Sequence, residues 1–397
     1  MTYDIIIVGA GIVGLSTAYS INKKNPDLKI LILEKEITHS MHQSGNNSNV
    51  IHSGVYYKPK SLKAKNCIKG YKLLLEFLKE NKIPYEICGK LIVATEKSEI
   101  PALMNIFERG KKNGLKNLKL LDAREIKEYE PYVVGVKALH VPQAGITDYK
   151  LVCKKLYEIL LKSGVNIRFS SRVKNYSAEG EFCTVNINDS LNFKTKKLIN
   201  VAGLYSDKLA EIENDINYKI VPFRGEYYNL KKNSRKLVNN LIYPVPDPNF
   251  PFLGVHFTKR VDGSVESGPN AVFAFSREGY KKLDINIYEF IESITYSGFI
   301  HLVKKYWKEG FKEMYRSYSK RAYLRALQKL IPAIKYDDIY SGNAGVRAQA
   351  LYKNGEMLDD FLIIKKNNTI NVCNAPSPAA TSCFSIGEYI SKLALNN

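Results

Sequence analysis

Three glycines near the start of the sequence have the spacing of a phosphate-binding turn. Gly9, Gly11 and Gly14 form G-x-G-x-x-G between an apolar run at residues 3–8, predicted as a buried strand, and a predicted helix at residues 15–24. The first glycine permits a tight turn, the second lets the backbone approach a pyrophosphate, and the third lets the helix pack closely on the strand. Because the N-terminal N–H groups of a helix favour negative charge, this turn predicts a dinucleotide site.

An acidic residue follows at the distance expected for a ribose contact. A second apolar run, at residues 29–33, ends in Glu34, twenty residues after Gly14. A chance glycine-rich turn is the alternative, but strand, helix, second strand and acid occur here in the required order. The pattern serves NAD and FAD equally, so the choice of cofactor depends on later segments.

Two later segments favour a flavin. Residues 197–207 (KLINVAGLYSD) run from an apolar strand into small residues before a helix predicted to begin near Ser206. Residues 374–382 (NAPSPAATS) place small residues and two prolines before a final predicted helix, whose N-terminal N–H groups would face an electron-rich ring. Either segment alone is explained as well by an ordinary strand-to-helix loop. Together, and in this order, they resemble the flavin-contacting segments of the amino acid oxidase fold.

Longer motifs extend this resemblance over nearly the whole chain. They are HQSGNNSNVIHSGVYYKP (42–59), CGKLIVA (88–94), PFRGEYY (222–228), FLGVHFTKRVDGSVESGPNAVFAF (252–275), GVRAQAL (345–351) and NAPSPAATS. With them the sequence resembles the L-2-hydroxyglutarate dehydrogenase/oxidase family of D-amino-acid-oxidase-like enzymes. The resemblance implies FAD as cofactor, a small dicarboxylate as substrate, and oxidation of L-2-hydroxyglutarate to 2-oxoglutarate, with electrons passing to a quinone or another acceptor.

The resemblance also implies an architecture and a set of cofactor contacts. We expect an α/β Rossmann-type FAD-binding domain (1–85, 145–216 and 336–397) and an α+β substrate domain with an antiparallel sheet (86–144 and 217–335). The sequence agrees: residues 148–164 and 165–169 read as helix and strand, whereas 218–275 read as short strands. The expected cofactor-binding residues are Gly9, Ala10, Gly11, Ile12, Gly14, Glu34, Lys35, Ser44, Ser48, Val173, Ala202, Gly203, Gly345, Pro378, Ala379, Ala380 and Thr381.

One departure from the family lies beside the expected flavin. The family usually has His-Asn-Ser-Gly where this chain has residues 46–49, so Asn46 replaces a histidine and Asn49 replaces a glycine. Asparagine is the residue that, after glycine, best tolerates positive φ. Substrate identity is therefore less firmly predicted than the fold.

Oxidation of a 2-hydroxy acid requires a base for the hydroxyl proton. His256 lies in a stretch of strand character whose motif resembles the family's substrate-facing strand, and we predict that it is the base. His52, in the VIHSG segment, is the competing candidate. The alternative for either is a hydrogen-bonded histidine without a catalytic role.

The substrate carboxylates require cations. Arg347, in GVRAQAL, is predicted to bind the first carboxylate through its planar guanidinium, as related oxidases do. For the second carboxylate the sequence offers four cations without ranking them, and each has the alternative of a structural ion pair. These are Arg224, Lys259, Arg260 and Arg277.

A basic, amphipathic segment spans residues 296–331. Apolar residues recur at helical spacing, Trp307 lies close by, and Lys304, Lys308, Lys312, Arg316 and Lys320 follow every four residues. One or two helices are predicted. They would suit either peripheral docking on an anionic membrane, where a quinone could accept electrons, or simple packing on the substrate domain.

The composition indicates which partners, metals and cellular location to expect. The formal net charge of +20 fits a nucleic acid, an anionic membrane, an acidic substrate or a merely lysine-rich surface, but no nucleic-acid-binding pattern accompanies it. The six cysteines lack metal-ligand spacing, so we expect reduced thiols and no metal. Without a membrane span or signal peptide, we expect a cytoplasmic protein, peripheral on the inner face of the cell membrane if it docks there. No feature indicates an oligomeric state.

Two other functions stay open on the sequence. The first is oxidation of another small anion, such as glycerol 3-phosphate, another 2-hydroxy acid or an amino acid. The second is a flavin-binding protein without turnover, which the two asparagine replacements favour, and against which His256 and Arg347 argue.

Overall fold

The computed structural model describes residues 2–188, 191–247 and 253–396, so Phe252, the first residue of one motif above, lies outside the described residues. The helices are α1 (Ile12–Lys24), α2 (Leu62–Glu80), α3 (Ile100–Lys112), α4 (Ala123–Tyr129), α5 (Tyr149–Lys162), α6 (Ser206–Ala210), α7 (Ile287–Thr295), α8 (Ser297–Tyr318), α9 (Lys320–Gln328) and α10 (Cys383–Leu395). Short 3₁₀ helices span Lys97–Glu99, Gly203–Tyr205, Lys232–Leu237 and Tyr336–Asp338.

The strands alternate with these helices in the first half of the chain and dominate the second half. They are β1 (Thr2–Val8), β2 (Ile30–Leu33), β3 (Val50–Ile51), β4 (Tyr85–Glu86), β5 (Lys90–Ala94), β6 (Lys119–Asp122), β7 (Lys137–Val141), β8 (Gly145–Thr147), β9 (Asn166–Arg168), β10 (Val173–Glu179), β11 (Phe182–Ile187), β12 (Leu191–Asn200), β13 (Tyr218–Leu230), β14 (Leu241–Pro244), β15 (His256–Lys259), β16 (Val265–Gly268), β17 (Val272–Phe273), β18 (Ile339–Tyr352), β19 (Leu362–Lys366) and β20 (Thr369–Asn374).

The first sheet is the predicted Rossmann-type unit. Its eight strands run in the order β10-β11-β12-β1-β2-β9, with β20 beside β12 and β19 beside β20. The strands β12, β1, β2 and β9 are parallel, as is the β12–β20 pair. Ile5 and Ile7 of β1, Leu15 of α1 and Ile386 of α10 are buried in one apolar core, which explains why these strands read as continuous apolar runs.

Local signals placed the helices of this unit correctly. Asp148 accepts a hydrogen bond from the Lys150 N–H and begins α5, and Gly164, with φ of 78°, follows the end of that helix. The helix predicted near Ser206 is α6, and α10 follows the small residues at 374–382. These predictions are confirmed.

The second sheet is mainly antiparallel, as predicted. It has nine strands in the order β17-β13-β16-β15-β14-β5-β7-β6, and β18 also pairs with β13. The β14–β5 pair is parallel. The third sheet, β3-β8-β4, is short.

One segment predicted to belong to the FAD-binding domain pairs with the second sheet. We assigned residues 336–397 to the FAD-binding domain, yet β18 hydrogen-bonds antiparallel to β13 from Tyr218↔Tyr352 to Leu230↔Ile339, inside the second sheet. The motif GVRAQAL is therefore a strand of the second sheet, because strand pairing over this length is decided by a partner more than a hundred residues away. The division into two domains itself stays a prediction.

The basic segment at 296–331 forms α8 and α9. Helix α8 contains a kink at Tyr306, whose φ of −122° and ψ of 24° interrupt the helical geometry, so the basic residues do not follow one straight face. No helix in residues 2–188, 191–247 or 253–396 has the length and apolarity required to cross a membrane. The six cysteines are free thiols, and burial raises the pKa of Cys67 to about 12.

Candidate active site

One cavity of about 890 Å³ runs between the first sheet and the second. Its volume lies in the upper part of the roughly 300–1,000 Å³ typical of small-molecule and cofactor sites. The glycine turn, the 44–52 segment, the 201–205 segment, strand β18 and the 374–380 segment all contribute to the wall. The structure thus brings together sequence segments that are up to 370 residues apart.

The glycine turn has the shape that a diphosphate requires. Gly9 has φ of 113°, and a Cβ there would lie 2.6 Å from the Val201 carbonyl oxygen. A Cβ on Gly14 would overlap the carbonyl oxygen of Gly9, so α1 packs on the turn without any side chain between them. Helix α1 has no acidic residue in its first turn and no side-chain cap from Gly11, which leaves its N-terminus suited to an anion.

The acidic residue after β2 lies in the cavity wall. Glu34 is buried, and its Oε2 accepts a hydrogen bond of 2.7 Å from the Ala10 N–H. Its carboxylate retains acceptor capacity for the hydroxyls of a ribose. Together with the glycine turn, this arrangement fits the adenosine diphosphate part of FAD.

The next residue, Lys35, joins the two predicted domains. Its ammonium forms ion pairs with Glu36 and with Glu278, and lies 2.9 Å from His42 Nε2. His42 Nδ1 lies 2.6 Å from the Tyr280 hydroxyl. Glu36, His42 and Glu278 could together hold a metal, but Lys35 already supplies the positive charge among them.

The two asparagines that replace family residues are accommodated by the backbone. Asn49 has φ of 56°, the left-handed conformation that glycine would adopt freely, and its N–H donates to Asn47 Oδ1 at 2.8 Å. The Asn46 side chain donates to the Met41 and His42 carbonyls, and a Cβ on Gly345 would overlap the Asn46 carbonyl oxygen. The close contact between the 44–52 segment and β18 therefore requires a glycine at 345.

The predicted cofactor-binding residues divide into those that line the cavity and those that do not. Ala10, Gly14 and Thr381 are not among the residues that line the cavity. The Thr381 hydroxyl accepts from the His52 N–H at 3.0 Å and lies 2.9 Å from the Tyr149 hydroxyl. The others line the cavity: Gly9, Gly11, Ile12, Glu34, Lys35, Ser44, Ser48, Val173, Ala202, Gly203, Gly345, Pro378, Ala379 and Ala380.

His256 lines the same cavity, and its hydrogen-bond partner indicates its tautomer. The ring is buried, and its Nδ1 lies 2.9 Å from the Gly254 carbonyl oxygen. A carbonyl can only accept, so Nδ1 carries the proton and Nε2 has a free lone pair. Burial lowers the pKa of His256 to about 3, with smaller contributions from Lys90 and Arg347, so the ring is neutral and its Nε2 is not protonated at neutral pH.

His52 also lines the cavity. Its Nε2 lies 3.4 Å from the Ser377 hydroxyl, and burial lowers its pKa to about 3, with Lys90 and His256 contributing in the same direction. The structure therefore brings both candidate bases together and leaves the choice between them to experiment.

Arg347 is the predicted carboxylate ligand, and it lies in the cavity wall on β18 opposite Phe223 of β13. Burial lowers the pKa of the Arg347 guanidinium, and two neighbours oppose this shift. They are Tyr227, which lines the cavity, and Glu313, which is buried on α8. Neither was identified from the sequence, because their proximity to Arg347 arises from strand and helix packing alone.

The four candidates for the second anchor lie outside the cavity wall. Arg277 pairs with Asp207, its Nη2 donating at 2.8 Å, and Arg224 pairs with Glu226 at 3.1 Å. Lys259 pairs with Glu86 at 2.9 Å, and Arg260 pairs with Glu266. All four have the structural ion pair that was the alternative, and we do not retain them as substrate ligands.

Comparisons with known proteins agree with this site. Residues 4–393 match the family described as FAD dependent oxidoreductase. A protein of Indibacter alkaliphilus named L-2-hydroxyglutarate dehydrogenase is 51% identical over 397 residues, covering 100% of this chain and 99% of the relative. The human protein named L-2-hydroxyglutarate dehydrogenase, mitochondrial, is 42% identical and covers 98% of this chain and 88% of the relative.

Solved structures agree with the fold. L-alpha-glycerophosphate oxidase from Mycoplasma pneumoniae, solved with FAD bound, superposes with a TM-score of 0.82 at 24% identity, covering 99% of this chain and 95% of that one. Glycine oxidase from Bacillus cereus gives a TM-score of 0.71 at 16% identity, covering 99% and 94%. The chain therefore belongs to the FAD dependent oxidoreductase family, and within it to the L-2-hydroxyglutarate dehydrogenases.

Proposed function

We propose that this protein oxidises L-2-hydroxyglutarate to 2-oxoglutarate with FAD in the cavity described above. The observation that carries the proposal is that a neutral, buried His256 and the guanidinium of Arg347 line the cavity that begins at the glycine turn. The names of the relatives at 42–51% identity support the same substrate.

Arg347 and His256 would have different roles in this reaction. The Arg347 guanidinium binds the carboxylate next to the reacting carbon and fixes its orientation. His256 Nε2 accepts the hydroxyl proton, while the Nδ1–H donates to the Gly254 carbonyl and keeps the ring oriented. When bound, FAD supplies the acceptor for the hydride.

An anaerobic titration tests the substrate. The purified holoenzyme is mixed with L-2-hydroxyglutarate, its D-enantiomer, glycerol 3-phosphate or glycine, and loss of the oxidised flavin absorbance is followed. We expect reduction by L-2-hydroxyglutarate alone. Faster reduction by glycerol 3-phosphate or glycine would transfer the assignment to that substrate, and a flavin that none of the four reduces would favour a non-catalytic protein.

We also propose that α7 and α8 dock on an anionic membrane, where a quinone would accept the electrons. After its kink, helix α8 is inverted relative to an ordinary surface helix: Glu313 and Ser317 are buried, whereas Phe311 is 74% exposed. Tyr288 of α7 is 88% exposed. A surface that combines exposed aromatic residues with lysines suits the boundary between lipid headgroups and acyl chains. The lysines of this surface are Lys304, Lys308 and Lys312.

Sedimentation with liposomes of anionic phospholipid tests the docking. The wild-type protein should sediment at low salt and be released by high salt. Phe311→Ser and Tyr288→Ser should weaken sedimentation, whereas Tyr389→Ser, at an exposed position of α10, should not. Equal sedimentation of all three variants, or none for the wild type, would contradict the docking.

A further inference from the structure

Lys90 is a lysine in an unusual environment. It lies at the start of β5, and only 2% of its surface is exposed. Within residues 2–188, 191–247 and 253–396, no carboxylate neutralises it. A buried ammonium without a counter-ion is strongly disfavoured, so its presence requires an explanation.

Aromatic rings hold this ammonium. Its Nζ lies 3.8 Å from the ring centroid of Tyr243 and 5.5 Å from that of Tyr56, both within the range of cation–π attraction. Tyr243 is also part of the cavity wall. Lys90 therefore contacts a residue that lines the cavity.

The strand register explains this arrangement. Lys90 pairs with Leu241, two residues before Tyr243, and Ile242 pairs with Phe257, next to His256. Since alternate residues of a strand share a face, Lys90, Tyr243 and His256 project from the same face of three neighbouring strands. The Tyr243 and His256 rings stack with centroids 3.8 Å apart.

A dicarboxylate needs more positive charge than Arg347 alone provides. Lys63 lines the cavity, but its ammonium lies 2.6 Å from Asp359 Oδ1. We propose that Lys90 is a specificity-determining residue, whose buried ammonium supplies the second positive charge for the distal carboxylate of the substrate. This inference rests on the proposed function. An anion in the cavity would provide the counter-ion that Lys90 lacks among the described residues.

The charge of Lys90 depends on pH. Burial lowers the pKa of Lys90 to about 7, so the ammonium loses its proton as pH rises through that value in the free enzyme. Attraction for the distal carboxylate is then lost on the alkaline side. The titratable groups that face Lys90 from the surrounding elements are His52, Tyr56, Cys67, Cys88, Tyr243 and His256.

Steady-state kinetics with two substrates test the proposal. The wild type, Lys90→Met and Lys90→Arg are compared on L-2-hydroxyglutarate and on L-2-hydroxybutyrate, which lacks the distal carboxylate. Lys90→Met should raise the KM for the dicarboxylate roughly tenfold or more, with little change in kcat and little change for the monocarboxylate. Lys90→Arg, which retains the charge, should restore most of the affinity. Lys119→Met, at an exposed position of the same sheet, should behave as wild type.

The outcomes separate two failures. If the wild-type flavin is not reduced by L-2-hydroxyglutarate, the proposed function fails. If it is reduced normally and Lys90→Met keeps the wild-type KM, only the inference on Lys90 fails. If Lys90→Met does not bind FAD, the pH dependence of the wild type tests the inference. The wild-type KM for the dicarboxylate should rise from pH 7 to pH 9, whereas the KM for the monocarboxylate should not. A KM for the dicarboxylate that is the same at both pH values overturns the inference.

Discussion

The imidazole of His256 stacks on the phenol ring of Tyr243, with ring centroids 3.8 Å apart and planes inclined by 26°. Together with the hydrogen bond to the Gly254 carbonyl, this stacking fixes the ring and leaves Nε2 as the proton acceptor. Tyr243 of β14 therefore contacts both the predicted base, His256, and the buried lysine, Lys90.

Replacing His256 with glutamine should leave FAD bound and slow flavin reduction by about a hundredfold or more, because glutamine cannot accept the hydroxyl proton. Rapid-mixing absorbance under anaerobic conditions measures the rate. His140→Gln, on β7, is the matched control. A normal rate in His256→Gln together with a slow rate in His52→Gln would assign the base to His52.

The pH profile should lack the ionisation of an ordinary histidine. A base acts when deprotonated, and burial lowers the pKa of His256 to about 3, so lowering the pH from 8 to 5 should not protonate it. We expect the single-turnover rate at saturating substrate to stay nearly constant over this interval. A tenfold decrease centred near the ordinary histidine pKa of about 6.5 would contradict the lowered pKa of His256.

Arg347→Lys should raise the KM about tenfold or more while the bound FAD is unchanged. A lysine keeps the charge but cannot form the planar pair of hydrogen bonds that a guanidinium makes with a carboxylate. Arg325→Lys, at an exposed position of α9, should leave the KM unchanged. An unaltered KM in Arg347→Lys would remove this residue from substrate binding.

Gly14→Ala should abolish FAD binding, because its methyl group would overlap the Gly9 carbonyl and displace α1 from the turn. Flavin content after purification measures the effect. Gly310→Ala, in α8 with open space around the added methyl group, should retain FAD and stabilise the helix by up to about 1 kcal/mol. Full flavin content in Gly14→Ala would refute the close packing of helix and turn.

The left-handed backbone of Asn49 can be tested by two replacements. Asn49→Gly, which restores the family residue, should retain the stability of the holoenzyme within a few tenths of a kcal/mol, whereas Asn49→Ala should lose about 1 kcal/mol because alanine disfavours φ of 56°. Thermal unfolding followed by flavin fluorescence compares them. Equal midpoints for the two variants would argue against the backbone conformation.

The sequence by itself determined the cofactor unit. Gly9, Gly11, Gly14 and Glu34 act within a span of 26 residues, where chain connectivity fixes the geometry of strand, turn and helix. The histidine and arginine that line the cavity, His256 and Arg347, could be identified because they lie in long motifs that resemble a family.

Only the tertiary structure decided which other cations have carboxylate partners. Arg224 lies in a motif as specific as that of Arg347, and Arg277 follows another such motif by two residues, yet their carboxylate partners Glu226 and Asp207 neutralise them outside the cavity. Lys90 is an ordinary lysine in the sequence. Its contact with Tyr243 depends on the pairing of β5 with β14, strands about 150 residues apart, and no local pattern encodes such a register.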